Sequence, residues 1–229
     1  MTPENTTARL APPSRCRPAR AARRLTLLVL AAACLGAALL APAACAKDAV
    51  DFFGGAGDLG GQFSSNDPRS VAVNDTGAGP ANAGDIYVLD GGSNRVERFG
   101  HDDNGTPADP VDDTYFFISA WGADVVSEGG TGDVGDAEAK AYEICTDAAQ
   151  CKAGVASSGN GSASGNGGLD GPQAIAVDQD TGRVYVAEPH SRRLSVYDGT
   201  GTFLFALGRD VAEPDGGTAL ELCDAATDV

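Results

Sequence analysis

Four short apolar runs, separated by polar, glycine-rich stretches, recur twice along this chain. Ile86 and Val88 alternate with Tyr87, and Val184 and Val186 alternate with Tyr185, which is the period of two that a β-strand imposes on its side chains. Apolar residues in both phases of that alternation predict strands covered on both faces by neighbours. The stretches between the runs carry turn chemistry. Gly91-Gly92-Ser93, Asp180-Thr181-Gly182 and Asp198-Gly199-Thr200-Gly201 place glycine where a tight turn needs positive φ and Asp or Ser where a side chain can close it. The pattern predicts an all-β chain.

The two sets of runs align. Arg69-Ser70-Val71-Ala72-Val73 matches Gln173-Ala174-Ile175-Ala176-Val177, each behind a proline, Pro68 and Pro172. Gly84 to Asp90 matches Gly182 to Glu188, and Ser93 to Phe99 matches Ser191 to Tyr197 without a gap. Phe117 to Gly122 then matches Phe203 to Gly208, and Tyr142-Glu143-Ile144-Cys145 matches Leu220-Glu221-Leu222-Cys223. A repeat of about 40 residues holding four antiparallel strands is the size of one propeller blade.

The shared pattern runs P-x-x-[VI]-A-V, then G-[DR]-[IV]-Y-V-x-[DE], then S-x-R-[VL]-x-x-[FY]. It resembles the NHL repeat, the blade of a six-bladed β-propeller, over residues 60–99 and 168–208, and more weakly over 115–122. The whole is similar to exported actinobacterial NHL proteins in which a two-cysteine insertion separates successive repeats. The resemblance implies a β-propeller of four-stranded blades, with about two complete blades (60–122 and 168–208) in a partial propeller over 47–229. Val50-Asp51-Phe52-Phe53-Gly54 reads as the outer strand of a preceding blade. Two blades cannot close a ring, so the chain reads as a fragment of a longer propeller, with two apolar faces lacking neighbours. Residues 123–167 form the cysteine-containing insertion, Ser157 to Gly168 reads as a flexible connector, and residues 100–114 form a shorter polar insertion.

Residues 1–46 read as a secretory signal. Arg9, Arg15, Arg17, Arg20, Arg23 and Arg24 precede the apolar run Leu25–Leu40, and small residues follow. That run falls short of the roughly 20 residues a membrane span needs. Cys45 follows small residues as a lipid-acceptor cysteine does, but Pro42 stands where such signals carry Leu. Cleavage after Ala43 or Ala46 is therefore expected, and a membrane enters only through lipidation at Cys45 or an uncleaved signal. The expected location is outside the cell or at its surface.

Charge narrows the partners. The chain has 16 Lys+Arg and 32 Asp+Glu, and residues 1–46 hold six and one of these, leaving 10 − 31 = −21 for residues 47–229. Such a surface repels phosphate backbones, so nucleic acid is not an expected partner. Calcium is permitted but not demanded: His101-Asp102-Asp103-Asn104-Gly105 lacks the spacing of a calcium loop, and Asp124, Glu128, Asp133 and Asp136 are a second weak set. No other cofactor is expected.

Cys145 and Cys151 are spaced to close a small disulfide loop in an oxidising compartment. Metal binding is the alternative, with no further ligands close by. Asp90 with Arg95, and Glu188 with Arg193, occupy one repeated position and are expected to form ion pairs across a hairpin, as architecture rather than as a ligand site. Trp121 stands where the other repeat has Leu207, which favours the core. With only His101 and His190 in the chain, no metal-centred catalytic site can be assembled from these residues, and Ser195 falls mid-strand rather than on a nucleophile elbow. The expected function is that of an exported non-catalytic binding or scaffold module, recognising an extracellular protein or glycan through inter-strand loops, chiefly residues 100–114 and 123–167. The alternative is a lyase- or lactonase-like propeller enzyme whose catalytic residues lie in blades outside this chain.

Overall fold

The chain divides into Met1–Asp48 and Ala49–Val229. The computed structural model describes residues 54–64, 67–106, 112–134, 141–157, 167–209, 211 and 220–224, all in the second unit. The signal-like segment, Val50–Phe53 and the connector residues 158–166 lie outside the described residues.

Among the described residues there is no helix. A short parallel pair, β1 (Gly55–Ala56) and β2 (Gln62–Phe63), precedes two antiparallel sheets. The first sheet runs β3 (Pro68–Asn74), β4 (Asp85–Asp90), β5 (Arg95–Asp102), β6 (Thr114–Ala123) and β7 (Tyr142–Cys145), in chain order. The second runs β8 (Ala174–Val177), β9 (Val184–Glu188), β10 (Arg193–Tyr197), β11 (Phe203–Gly208) and β12 (Glu221–Asp224), also in order. Each sheet therefore has five strands where four per unit were expected. The fifth is the recurring Glu-x-Cys run, which pairs with the outer side of β6 or β11 and places Cys145 opposite Ala120 and Cys223 opposite Ala206.

Local sequence explains the shared hairpins. Gly84 and Gly182, at φ 85° and 70°, hold the left-handed conformation just before β4 and β9 that side chains resist. Asn94 and Arg192, again equivalent, close the next hairpin at φ 45° and 52°. Asn adopts this conformation readily, whereas a left-handed Arg costs on the order of 1–2 kcal/mol.

The registers of the two sheets superpose position for position. One row crosses the first sheet as Ser70, Leu89, Val96, Trp121 and Ile144; its counterpart in the second is Ala174, Ala187, Leu194, Leu207 and Leu222. The row on the opposite face reads Val71, Val88, Glu97, Ala120 and Cys145 in the first sheet and Ile175, Val186, Ser195, Ala206 and Cys223 in the second.

The main core lies between the sheets. Leu89, Val96 and Trp121 of the first sheet's first row pack with Ile175, Val186 and Ala206 of the second sheet's opposite row, joined by Tyr87, Val184, Tyr197 and Phe203. Trp121 meets Tyr87 edge-on at 5.9 Å and Tyr197 at 5.9 Å. Polar contacts fix the approach. Tyr87 donates to the Gly199 carbonyl at 2.9 Å, Tyr142 donates to that of Gly201, and Gln179 donates to the Val73 carbonyl at 2.8 Å. Burial pushes the Tyr87 hydroxyl up to about 12 and the Tyr142 hydroxyl well above its ordinary value, so both remain donors through the neutral range.

The expected two-sided burial of Tyr87 and Tyr185 is met only in the first sheet. Tyr87 is fully buried, but Tyr185 is half-buried, because its face of the second sheet has no described sheet against it. The 123–167 insertion is also more than a lengthened loop. Val125 and Val126 are fully buried with Cys145 and Cys151 in a second, smaller core against Phe117.

Candidate functional site

The repeated acid–arginine positions form two buried clusters. Asp90 ends β4, Arg95 begins β5, and the hairpin between them brings Arg95 Nε within 3.4 Å of Asp90 Oδ2. The Arg95 guanidinium also lies 2.5 Å from Glu97 Oε1 and donates to the carbonyls of Asp58, Leu59, Gln62 and Lys152 at 2.5, 3.2, 2.6 and 2.9 Å. Asp90 in turn accepts from the Ser64 amide and hydroxyl at 3.2 and 2.6 Å.

In the second sheet Arg193 Nε donates to Glu188 Oε1 at 3.0 Å, and Nη2 reaches the Gly168 carbonyl. Glu188 accepts from the Asp170 amide at 2.8 Å and the Ser195 hydroxyl at 2.5 Å. Burial works against the charge on Arg193, but Glu188 outweighs it and holds the guanidinium pKa above its ordinary value.

Segments 61–64 and 167–170 are thus equivalent wraps, each bolted to its sheet by one arginine and one acid. Arg95 has no exposed surface. Its Nη groups are spent on four carbonyls, and although Nε has no hydrogen-bond partner, a guanidinium without exposed surface organises backbone and offers nothing for a ligand to reach. Ser195 is likewise buried in mid-strand with its hydroxyl spent on Glu188, and Trp121 belongs to the core.

Glu97 is the feature in which the clusters differ, since Ser195 holds its place in the second. Burial pushes its carboxyl up to about 8, against the opposing pull of Arg95 and the Gly61 amide at 2.8 Å. Its unfolded value is near 4.5, so the folded chain binds this proton more tightly. The resulting stabilisation is complete at the acid end and is lost as pH rises from about 4.5 through about 8. Glu97→Gln stays neutral throughout, so its melting temperature relative to the parent should climb across that window. Thermal denaturation of both proteins at several pH values checks this, and a constant difference would show that Glu97 is ionised throughout.

The chain concentrates its most heavily braced loop at one end of the first sheet. Cys145 and Cys151 are disulfide-bonded. Glu143, almost fully buried, accepts from the amides of Val126 and Val134 at 2.8 and 3.2 Å. Ser127 donates its amide to the Gln150 carbonyl at 2.7 Å, Thr131 donates to Gln150 Oε1 at 2.8 Å, and Lys152 Nζ lies 2.6 Å from Asp124 Oδ1. The resulting platform exposes Glu128, Gly129, Thr131, Gly132 and Val134 to solvent. Glu143 escaped the sequence reading, although its recurrence beside each cysteine as Glu143 and Glu221 was the available signal.

The 100–114 segment lies at the other end of the sheet, because β5 runs into it and β6 runs back. It is also shorter than expected. His101 and Asp102 continue β5 and pair with Tyr115 and Thr114, so His101 sits in a strand rather than a polar loop. Its ring stacks on Tyr115 at 5.1 Å, with Nε2 3.1 Å from Asp113. His190, in the 189–192 turn at the disulfide end, is largely exposed with Nδ1 3.8 Å from Asp170. The two histidines are not brought together. Asp102 and Asp103 accept from the amides of Asn104 and Gly105. Among the described residues no group of three or more His, Cys, Asp or Glu side chains is placed to hold a metal ion. Asp136, from the second calcium set, lies outside the described residues. The sequence matches no protein-family model and no curated protein.

Proposed function

We propose that each five-stranded sheet is a propeller blade of the NHL type and that the chain is an exported, non-catalytic binding module. It presents the disulfide-braced platform of residues 124–134 and 146–155 to an extracellular protein or glycan. Bracing is the observation that carries this reading. A surface loop fixed by a disulfide, a buried carboxylate and its own small core has lost its conformational freedom before any partner arrives, which lowers the ordering cost of binding. Position-for-position repetition of the strand registers supports the blade reading, and the basic–apolar–small order of residues 1–46 supports export. The strongly acidic surface supports a protein or glycan over nucleic acid.

The test replaces Ser127 to Gly132 with a two-glycine link, leaving both cysteines in place. Binding to a panel of immobilised glycans and to the host's exported proteins is then measured for parent and variant. We expect affinity to fall by at least about tenfold, while replacement of residues 103–113 with the turn used at Asp198 to Thr202 leaves it unchanged. Unaltered binding after the platform is removed overturns the proposal. So does a measurable turnover that disappears in the combined His101→Ala and His190→Ala variant.

A further inference from the structure

Neither Cys145 nor Cys151 has any exposed surface, yet the loop they close lies at the molecular surface, with Thr146, Asp147 and Ala149 exposed. Val125 and Val126 share the core of the two cysteines. Backbone bonds from Ser127 to Gln150 and from Lys152 to Val125 sew that segment to the cysteine loop. The wrap that begins at residue 58 reaches the same loop. Gly60 donates its amide to the Ala148 carbonyl at 2.9 Å, and a methyl group at Gly60 would come within 2.7 Å of both Ala148 Cα and Phe117 Cζ. Phe117 in turn packs against the disulfide core. The two segments are attached differently. Residues 58–62 are not part of either five-stranded sheet. They hang on two side chains of the first sheet, Arg95 donating to the carbonyls of Asp58, Leu59 and Gln62, and Glu97 accepting the Gly61 amide. A segment tethered in this way can open by itself while the ladders beneath it stay closed.

We propose that the 58–62 wrap is a lid over a redox switch: it lifts locally, a dithiol reaches the Cys145–Cys151 bond, and reduction releases the 124–134 platform while both sheets stay folded. The exchange is that of any disulfide with a dithiol. A thiolate of the reagent attacks one cystine sulfur, the S–S bond breaks, and the other cysteine leaves as a thiolate that takes up a proton. The second thiol of the reagent then displaces the protein sulfur, leaving two cysteine thiols and a cyclic oxidised reagent. Release follows from what the bond holds. It closes the loop that carries Gln150, and Gln150 accepts the amides of Ser127 and Thr131. The switch is independent of what the platform binds, so its test needs no partner.

The experiment exposes the full chain to dithiothreitol and follows Cys145 and Cys151 by alkylation and peptide mass. The parent's reduction rate should be proportional to reagent and nearly flat in urea below the unfolding transition, because only a short segment opens. Gly60→Ala crowds the lid off Ala148 and Phe117 and should be reduced about tenfold faster or more. Gly55→Ala, in the same wrap but with open space around it, should keep the parent's rate. After reduction, amide hydrogen exchange should rise over residues 124–134 and stay slow in β9 and β10. A parent rate that climbs with urea as steeply as global unfolding overturns the proposal, and that series decides the matter even if Gly60→Ala does not fold. A parent reduced as fast as an unstructured peptide disulfide, a folded Gly60→Ala with the parent's rate, or a platform whose exchange is unchanged by reduction overturns it equally.

Discussion

Arg95→Ala should destabilise the folded chain by about 3–5 kcal/mol. Three losses coincide. Asp90 loses its buried counterion, four carbonyls lose a donor, and the 58–64 wrap loses the group that joins it to both the sheet and Lys152. For a unit of this size, that is a fall of about 6–20 °C in melting temperature. Arg193→Ala is the internal control. It removes the equivalent residue, but its side chain is 14% exposed, and Glu188 keeps donors from Ser195 and Asp170. Its cost should be about 1–3 kcal/mol. Paired thermal and urea denaturation measures both, and equal costs would mean that the carbonyl contacts of Arg95 contribute nothing net.

Trp121→Ala should cost about 3–5 kcal/mol by a different route. The side chain is fully buried at the centre of the inter-sheet core, and it packs so closely over Gly201 that a methyl group there would come within 2.7 Å of the ring. Removing the indole opens a cavity walled by two sheets, neither of which can collapse without breaking its ladder. Trp121→Leu, which installs the residue the second repeat uses, should recover a large part of the loss. Circular dichroism melts of the three proteins decide this. A Leu variant as unstable as the Ala variant would indicate that the aromatic contacts to Tyr87 and Tyr197, rather than volume, hold the seam.

Much of the fold was legible because repetition and alternation are one-dimensional properties. Eight strands could be placed from apolar runs between turn residues, and the acid–arginine positions stood out by recurring. The fifth strand of each sheet was harder. Tyr142 to Cys145 is short, follows a polar stretch, and becomes a strand only because β6 offers an unpaired side, a tertiary cause with no local signature. Val125 and Val126 were passed over for a similar reason. Two adjacent valines among Gly, Asp and Ser do not look like a core until the disulfide and Phe117 are brought over them. His101 and its acidic neighbours read as the start of a polar insertion, yet stacking on Tyr115 extends the hairpin by two residue pairs. Nor could linear position reveal that the two insertions occupy opposite ends of one sheet, since that follows from the direction of β6.

Of the two edges each sheet has, the one on the fifth-strand side, β7 in the first sheet and β12 in the second, is four residues long and carries a glutamate. A rim this short and this charged is a poor template for strand addition, the route by which β-rich proteins recruit one another into cross-β aggregates. Several of the apolar groups that remain outward-facing, Val71, Phe116 and Leu222 among them, belong to strands, where fit depends on side-chain shape rather than on backbone ladders that any sequence can extend. Along these two edges, indiscriminate fibril growth therefore finds little to start from, and adhesion through the exposed side chains discriminates among partners by packing.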